Sequence, residues 1–366
     1  MQSASRSPYW RAHIESDRAQ AWCESVLGLR PAFVCCMGFT ETALIPGISA
    51  AGATPEARRY TAIADAEVLL HGKSDRLPTA PDGYPSPVVI SRAICEALNI
   101  PVQVVDCGLP ERLPEMAAAL PELATARCLS TGRALDLNVV EQLWQSGWEW
   151  GQRLKSANTY LVIGECVAGG TTTALAVLLG LGIAADGKVN SSHPSCNHAQ
   201  KQEIARQGLG NQDFSGALDI IAAVGDPMQP FVAGLAVSAS RHRPVLLAGG
   251  TQMLAVWAVM ERVARDRRIE WRSDRVVVGT TRWVAADATG DTVGLARMLA
   301  PVPLLATELS FAPSRYPPLQ AYERGFVKAG VGAGGLAIAA NLYRNWQQKD
   351  LLEAIETTYE NLLKTS

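Results

Sequence analysis

Six short runs of apolar, largely β-branched residues constrain this chain more than any other feature. They occupy 31–38 (PAFVCCMG), 102–108 (VQVVDCG), 159–165 (TYLVIGE), 244–250 (PVLLAGG), 275–281 (RVVVGTT) and 303–309 (PLLATEL), most closing on Gly, Asp or Thr before a helical pattern. Runs without polar alternation suit strands covered on both faces, as in a parallel sheet flanked by its crossover helices. The intervening segments are amphipathic: Val140, Leu143, Trp144, Gly147, Trp148, Gly151 and Leu154 share one helical face, and a second helix begins after Thr251. A doubly wound, mostly parallel α/β sheet is therefore expected, with the polar strand ends along one edge. The last segment, 341–364, aligns Leu352, Ile355, Tyr359 and Leu362, a face suited to packing on the body or on a partner subunit. The proline-rich stretch 77–87 reads as a loop.

At 366 residues the chain has room for about two domains or one large α/β unit with a lobe. A formal charge of -2, from 33 Lys and Arg against 35 Asp and Glu, lacks the positive field that nucleic-acid binding needs. The longest apolar runs, near 174–185 and 329–340, are too short to span a bilayer, and the polar start has no signal-peptide core. Eight cysteines without any CxxC pair fit reduced thiols, so a cytoplasmic setting is expected, with neither nucleic-acid nor membrane partners.

The strongest local signal is GECVAGGTTTALAVLLGLG, 164–182. A strand enters glycines, then three threonines, then an apolar helix. Glycines let backbone approach an anion, helix-start amides aim at it, and hydroxyls add hydrogen bonds. Gly164, Gly169, Gly170, Thr171, Thr172 and Thr173 are thus candidate phosphate or ribose contacts, although a plain tight turn has the same composition. No Lys follows the glycines as in a Walker A loop, and the spacing is not GxGxxG. Glu165 can cap the helix, bind ribose hydroxyls or stabilise positive charge. VLLAGGTQ, 245–252, repeats the layout with Gly249, Gly250 and Thr251, so the two ends can share a crevice. Asp226, between prolines in GDPMQP, is either a helix cap or a ligand contact. His193, Cys196 and His198 fall short of the paired ligands of a structural zinc site, and no metal is expected. Lys201 is the better candidate there, as a cation for phosphate or carboxylate. The segment 45–67, rich in Gly, Ala, Ser and Thr, is suited to closing over a ligand, and Ser91 and Arg92 can border an aromatic base or begin a helix. With no hydrolase triad or zinc motif, the pattern points to a phosphorylated sugar or nucleotide.

These stretches resemble the nicotinate-nucleotide:dimethylbenzimidazole phosphoribosyltransferases, and specifically a divergent branch of that family. GECVAGGTTT resembles its Gly-Glu and Gly-Asn-Thr-Thr loop, Lys201 falls where the family has a lysine after its central loop, and GVGAGGLAIAA (330–340) resembles its GEGTGA segment. GISAAGATPE and YERGFVKAGVGAGG are further branch-level matches, with loose coverage from about Gly47 to Ala340.

The resemblance implies a dimeric Rossmann-like fold: an α/β phosphoribosyltransferase-like domain over 31–340, with 1–30 and 341–366 as a smaller helical lobe or dimer contacts. It implies transfer of the ribose phosphate of nicotinate mononucleotide to a benzimidazole or purine base, with inversion to an α-riboside phosphate, in cobalamin lower-ligand synthesis. No cofactor is implied. The pyridinium leaves without a proton, whereas the incoming azole must lose one, which requires a base. The family's glutamate base corresponds to Val331, which cannot accept a proton. Glu323, slightly preferred, and Glu165, Glu308 and Asp287 are the candidate replacements. The resulting assignment gives Glu165, Lys201 and Glu323 catalytic roles and places Gly164, Gly169, Gly170, Thr171 to Thr173, Asp226, Gly249, Gly250, Thr251 and Gly332 against substrate. A nucleotide-binding protein without turnover, or a nucleosidase, are the alternatives.

Overall fold

The computed structural model describes residues 8–75, 83–122, 124–154, 159–299 and 301–365. Positions 77–82 of the expected loop lie outside the described residues. Eight strands form one sheet: β1 Trp10–Ile14, β2 Ala32–Gly38, β3 Val102–Gly108, β4 Ala117–Ala118, β5 Leu161–Val167, β6 Val245–Ala248, β7 Val276–Thr281 and β8 Leu304–Thr307. Their order is β1-β8-β7-β6-β5-β2-β3-β4, parallel throughout except for β1, which runs antiparallel to β8. All six expected strands are present in this α/β sheet. The two unexpected ones lie at its edges: β1, half-buried and carrying Arg11 and His13, lacks an apolar run, and β4 is two residues long.

The parallel strands are sorted by side. Along β2, Val34 and Cys36 join one core while Phe33, Cys35 and Met37 join the other; along β5, Leu161 and Ile163 oppose Val162. This two-residue alternation between two buried faces explains why the strands read as continuous apolar runs. It also separates Cys35 from Cys36, and neither forms a disulfide.

The first face is covered by helices Leu137–Arg153, Gly170–Gly180, Met228–Ser240 and Thr251–Asp266. The first and third of these meet through glycines. A Cβ on Gly147 would lie 2.0 Å from the Phe231 carbonyl oxygen, and one on Gly234 would lie 2.2 Å from that of Trp144. The expected apolar face is the one that is buried, through Val140, Leu143, Trp144, Gly147 and Gly151.

Helices Ser16–Val26, Thr61–His71, Val88–Ala97, Ala333–Arg344 and Gln348–Thr365 cover the second face. The expected helix over 341–364 is in fact two. Asn341 belongs to the end of Ala333–Arg344, and Asn345 breaks the chain with left-handed φ of 57° before Gln348–Thr365 starts. The buried positions of the last helix are Leu351, Ile355, Tyr359 and Leu362, with Leu352 only half-buried, and they join the second core beside Val88–Ala97. Among the described residues no helix is long and apolar enough to cross a membrane.

Strand order reverses between β2 and β5, since β3 and β4 lie to one side and β6 to β8 to the other. Helices leaving such a point go to opposite faces and open a crevice beyond the carboxyl ends of the strands. The loops after β5 and β6 both arrive there.

Candidate active site

After β5 the chain turns through Gly169, whose φ of 79° suits glycine, and starts helix Gly170–Gly180. After β6, Gly249 and Gly250 lead into Thr251–Asp266. The two helix starts lie side by side: a Cβ on Gly170 would come within 2.5 Å of Gln252 Nε2. Asp226, fully buried, pins them together, accepting from Thr173 Oγ1 at 2.5 Å, Gln252 Nε2 at 2.8 Å and the Met228 amide at 3.2 Å. Three helix starts thus share one carboxylate, and both helix dipoles present their positive ends to the crevice.

The crevice is partly open to solvent, and both helix starts contribute to its lining. Part of its lining is Gly169, Gly170, Thr171, Asn190, Ser191 and Ser192. Lys201 stands directly behind it, fully buried, its Nζ donating at 2.6 Å to both Thr171 Oγ1 and the Asn190 carbonyl. Burial pushes its pKa down to about 7, with Lys328 lowering it further and Cys196 and Asp287 opposing. Such an ammonium gains much from a nearby anion.

The lining also holds two carboxyl groups, Glu165 on β5 and Asp65 on helix Thr61–His71. Burial pushes Glu165 up to about 8, Asp226 and Asp65 add to this, and a hydrogen bond from the Val167 backbone opposes it. Its Oε1 lies toward the second glycine turn, 3.8 Å from where a Cβ on Gly249 would stand.

The segment Gly325 to Gly332 closes the wall and is strained. Val327, Lys328 and Val331 hold φ of 64°, 64° and 52°, left-handed values uncommon for any residue but glycine and least suited to the β-branched valines. Bonds fix it in place: the Val331 amide donates to the Glu165 carbonyl at 2.9 Å, Ser91 Oγ donates to the Val331 carbonyl at 2.7 Å, and Lys328 Nζ pairs with Asp287 Oδ2 at 2.5 Å.

Of the residues singled out in the sequence, Glu165, Gly169, Gly170, Thr171, Gly249, Gly250 and Thr251 line the crevice. Several others lie behind its wall. Thr172 and Thr173 point into the core, Thr173 toward Asp226, because a helix turns consecutive side chains to different faces. Gly164 and Gly332 pack on each other, a Cβ on Gly164 falling 2.9 Å from Gly332 Cα, so both serve close approach of the wall segment to β5 and not ligand contact.

The preferred replacement base is corrected. Glu323 is outside the crevice, accepting from Arg282, from Ser310 Oγ at 3.1 Å and from the Phe311 amide at 2.6 Å. Glu308 lies at the sheet edge near Arg11, 3.4 Å away, and Asp287 is held by Lys328 and Asn190. Arg92 turns away to the Leu69 carbonyl and Glu96, leaving Ser91 alone to brace the wall. His193 Nε2 and His198 Nε2 meet the carbonyls of Gly47 and Thr289, and among the described residues no group of three or more His, Cys, Asp or Glu could hold a metal.

Three site residues were not singled out in the sequence: Asp65, Asn190 and Lys328. Asp65 did leave a signal, as a lone acid in the otherwise small and apolar run TAIADA, whose Ala62, Ile63, Ala64 and Ala66 are all buried. Asn190 and Lys328 sit in loops whose paths no periodicity records.

A family model described as Phosphoribosyltransferase matches residues 89–271, half of the chain. A UPF0284 protein of Gloeobacter violaceus is 60% identical over 332 residues, covering 90% of this chain and 88% of its own. One from Microcystis aeruginosa is 56% identical over 352 residues, covering 94% and 97%. Among solved structures, CobT from Thermus thermophilus superposes with a TM-score of 0.61 at 19% identity, covering 91% of each chain. A second structure from that organism, titled as a nicotinate-nucleotide-dimethylbenzimidazole phosphoribosyltransferase, gives 0.59 at 16% identity, covering 96% of this chain and 94% of its own. At these identities the structural likeness is one of fold.

Proposed function

Because the chain belongs to the phosphoribosyltransferase family, in its UPF0284 branch, we propose that it moves the ribose phosphate of nicotinate mononucleotide to a benzimidazole or purine base. Nicotinate leaves and an α-riboside phosphate forms, as cobalamin lower-ligand synthesis requires. The observation that carries this reading is the meeting of two helix starts with the buried ammonium of Lys201 at a crevice that is also lined by the carboxyl groups of Glu165, half-buried, and Asp65, buried. Phosphate would sit on the amides of Gly170 and Thr171, with Thr171 hydroxyl between it and Lys201. A ribose carried by that phosphate would lie in the same crevice as Glu165, which could then face its anomeric carbon.

The leaving group is a cationic pyridinium. Glu165 is mostly neutral at pH 7 in the empty site, and a cation beside it favours its ionised form. A carboxylate formed there would stabilise the positive charge that builds on the ribose as the C–N bond breaks. The walls around it include the apolar Ala168, Val284 and Val331, which would leave little room for water once an aromatic acceptor is bound and so favour transfer to a base over hydrolysis. The family resemblance adds a homodimer.

The decisive test is incubation of the purified protein with nicotinate mononucleotide and a panel of benzimidazoles and purines, with products separated by chromatography. Free nicotinate together with an α-riboside phosphate, only when an acceptor is present, is the expected result. Nicotinate released without an acceptor would mean hydrolysis. Val331, apolar and 1% exposed where the family has its base, favours a second reading: nucleotide binding without turnover. Tight binding with no nicotinate under any condition would establish it.

A further inference from the structure

Among the carboxyl groups of the described residues that could serve the crevice, Asp65 alone combines three properties: it lies in the wall, it is buried, and one of its oxygens has no partner. Its Oδ2 accepts from Cys166 Sγ at 3.1 Å, while Oδ1 makes no hydrogen bond. Buried carboxylate oxygens are almost always satisfied, so an exception in a ligand cavity marks a group reserved for something that arrives. Its neighbours in the wall, Ser86, Pro87, Cys166 and Val331, suit a flat ring carrying an N–H.

We propose that Asp65 is the base that takes the proton of the incoming azole, in place of the acid missing at Val331. This rests on the transfer reaction proposed above. The azole's unprotonated ring nitrogen forms a bond to the anomeric carbon as the bond from that carbon to the pyridinium nitrogen breaks, its electron pair returning to the nicotinate ring. The azole N–H proton passes to Asp65 Oδ1, and the resulting carboxylic acid gives it to water once product leaves. Atoms and charge then balance without a co-reactant.

The titratable groups around Asp65 are Glu165 and Cys166 on β5, Cys35 on β2 and Tyr322. Burial drives the two thiols and the phenol upward, so they stay neutral. Burial also pushes Asp65 up to about 6, while the side chains of Ser86 and Cys166 beside it hold it back. It is therefore ionised at neutral pH yet more basic than an ordinary aspartate, as a general base should be.

The experiment compares wild type with Asp65→Asn and Asp65→Glu, using benzimidazole and 1-methylbenzimidazole, which has no N–H to lose. With benzimidazole, Asp65→Asn should lower kcat by more than 100-fold, Asp65→Glu should recover part of it, and calorimetric affinity for nicotinate mononucleotide should change less than threefold. With the methylated acceptor, Asp65→Asn should match wild type within threefold. If that acceptor is not used by wild type, the acidic limb of the benzimidazole rate profile, near pH 6, decides by vanishing in Asp65→Asn. Equal losses with both acceptors, an unchanged rate with benzimidazole, or a surviving acidic limb would each overturn the assignment while leaving the transfer reaction standing. A wild type that transfers to no acceptor would overturn the reaction and this role with it.

Discussion

Lys201 Nζ lies 2.6 Å from Thr171 Oγ1, the hydroxyl at the second residue of the helix that begins the proposed phosphate site. The ammonium does not line the crevice, so its charge reaches a ligand through a hydroxyl and a low-dielectric wall. Burial there lowers its pKa to about 7, placing its titration within the range of ordinary assays.

Sulfate, which does not itself titrate near neutrality, should bind about tenfold more weakly at pH 8 than at pH 6, because Lys201 loses its proton across that interval. In Lys201→Met the pH dependence should be clearly shallower, the remainder coming from ionisation of Asp65 and Glu165 in the same crevice, and turnover should fall more than tenfold. Titration calorimetry at the two pH values checks this, and an equal slope in the variant would remove Lys201 from the anion site.

Glu165→Gln should cut turnover more than tenfold while leaving the fold intact, since glutamine resembles the neutral acid. The raised folded pKa fixes the sign of the stability effect: Glu165 is most favourable to folding below its unfolded value of about 4.5 and loses that contribution as pH rises through about 8. The variant should therefore gain stability relative to wild type between pH 5 and pH 9. Thermal denaturation at both values measures it, and a gap that narrows with pH would contradict the burial of this carboxyl.

Gly147→Val tests the crossing of Leu137–Arg153 over Met228–Ser240. Its Cβ would fall 2.0 Å from a backbone oxygen that no side-chain rotation can clear, so the helices must separate. A loss of about 3 kcal/mol is expected from overpacking, read as a lower denaturant midpoint. A change below about 1 kcal/mol would show that the two helices slide apart freely.

Val331→Glu introduces the acid that the sequence resemblance implies for this position, but in a different setting. The site is 1% exposed, left-handed, and shares a wall with Asp65 and Glu165. A third carboxyl there should cost about 2 kcal/mol, and more as pH rises, because burial beside other acids disfavours ionisation. Chemical denaturation at pH 6 and pH 8 checks both statements; a variant as stable as wild type at pH 8 would mean the wall segment opens easily.

Much of this was readable from the chain because a doubly covered parallel strand leaves an unmistakable apolar run, and all six such runs became strands. Strand β1 escaped because it is half-buried at an edge and carries Arg11 and His13. The glycine turns at Gly169 and Gly249 were legible for the same local reason: backbone geometry there depends on a few adjacent residues. Asp65, Asn190 and Lys328 were not, since their place in the crevice is set by the return of chain segments more than a hundred residues apart. Glu323 illustrates the converse. Its neighbours in the sequence flank the site, yet Arg282 and the Phe311 amide, brought in by folding, hold it elsewhere.

The single carboxylate of Asp226 has a consequence for how a ligand is received. With Thr173, Gln252 and Met228 all fastened to it, neither arm of the proposed anion site can drift without dragging the other. The grip is a jig cut before the workpiece arrives, so binding there should need little rearrangement, and whatever motion the reaction demands must come from the opposite rim.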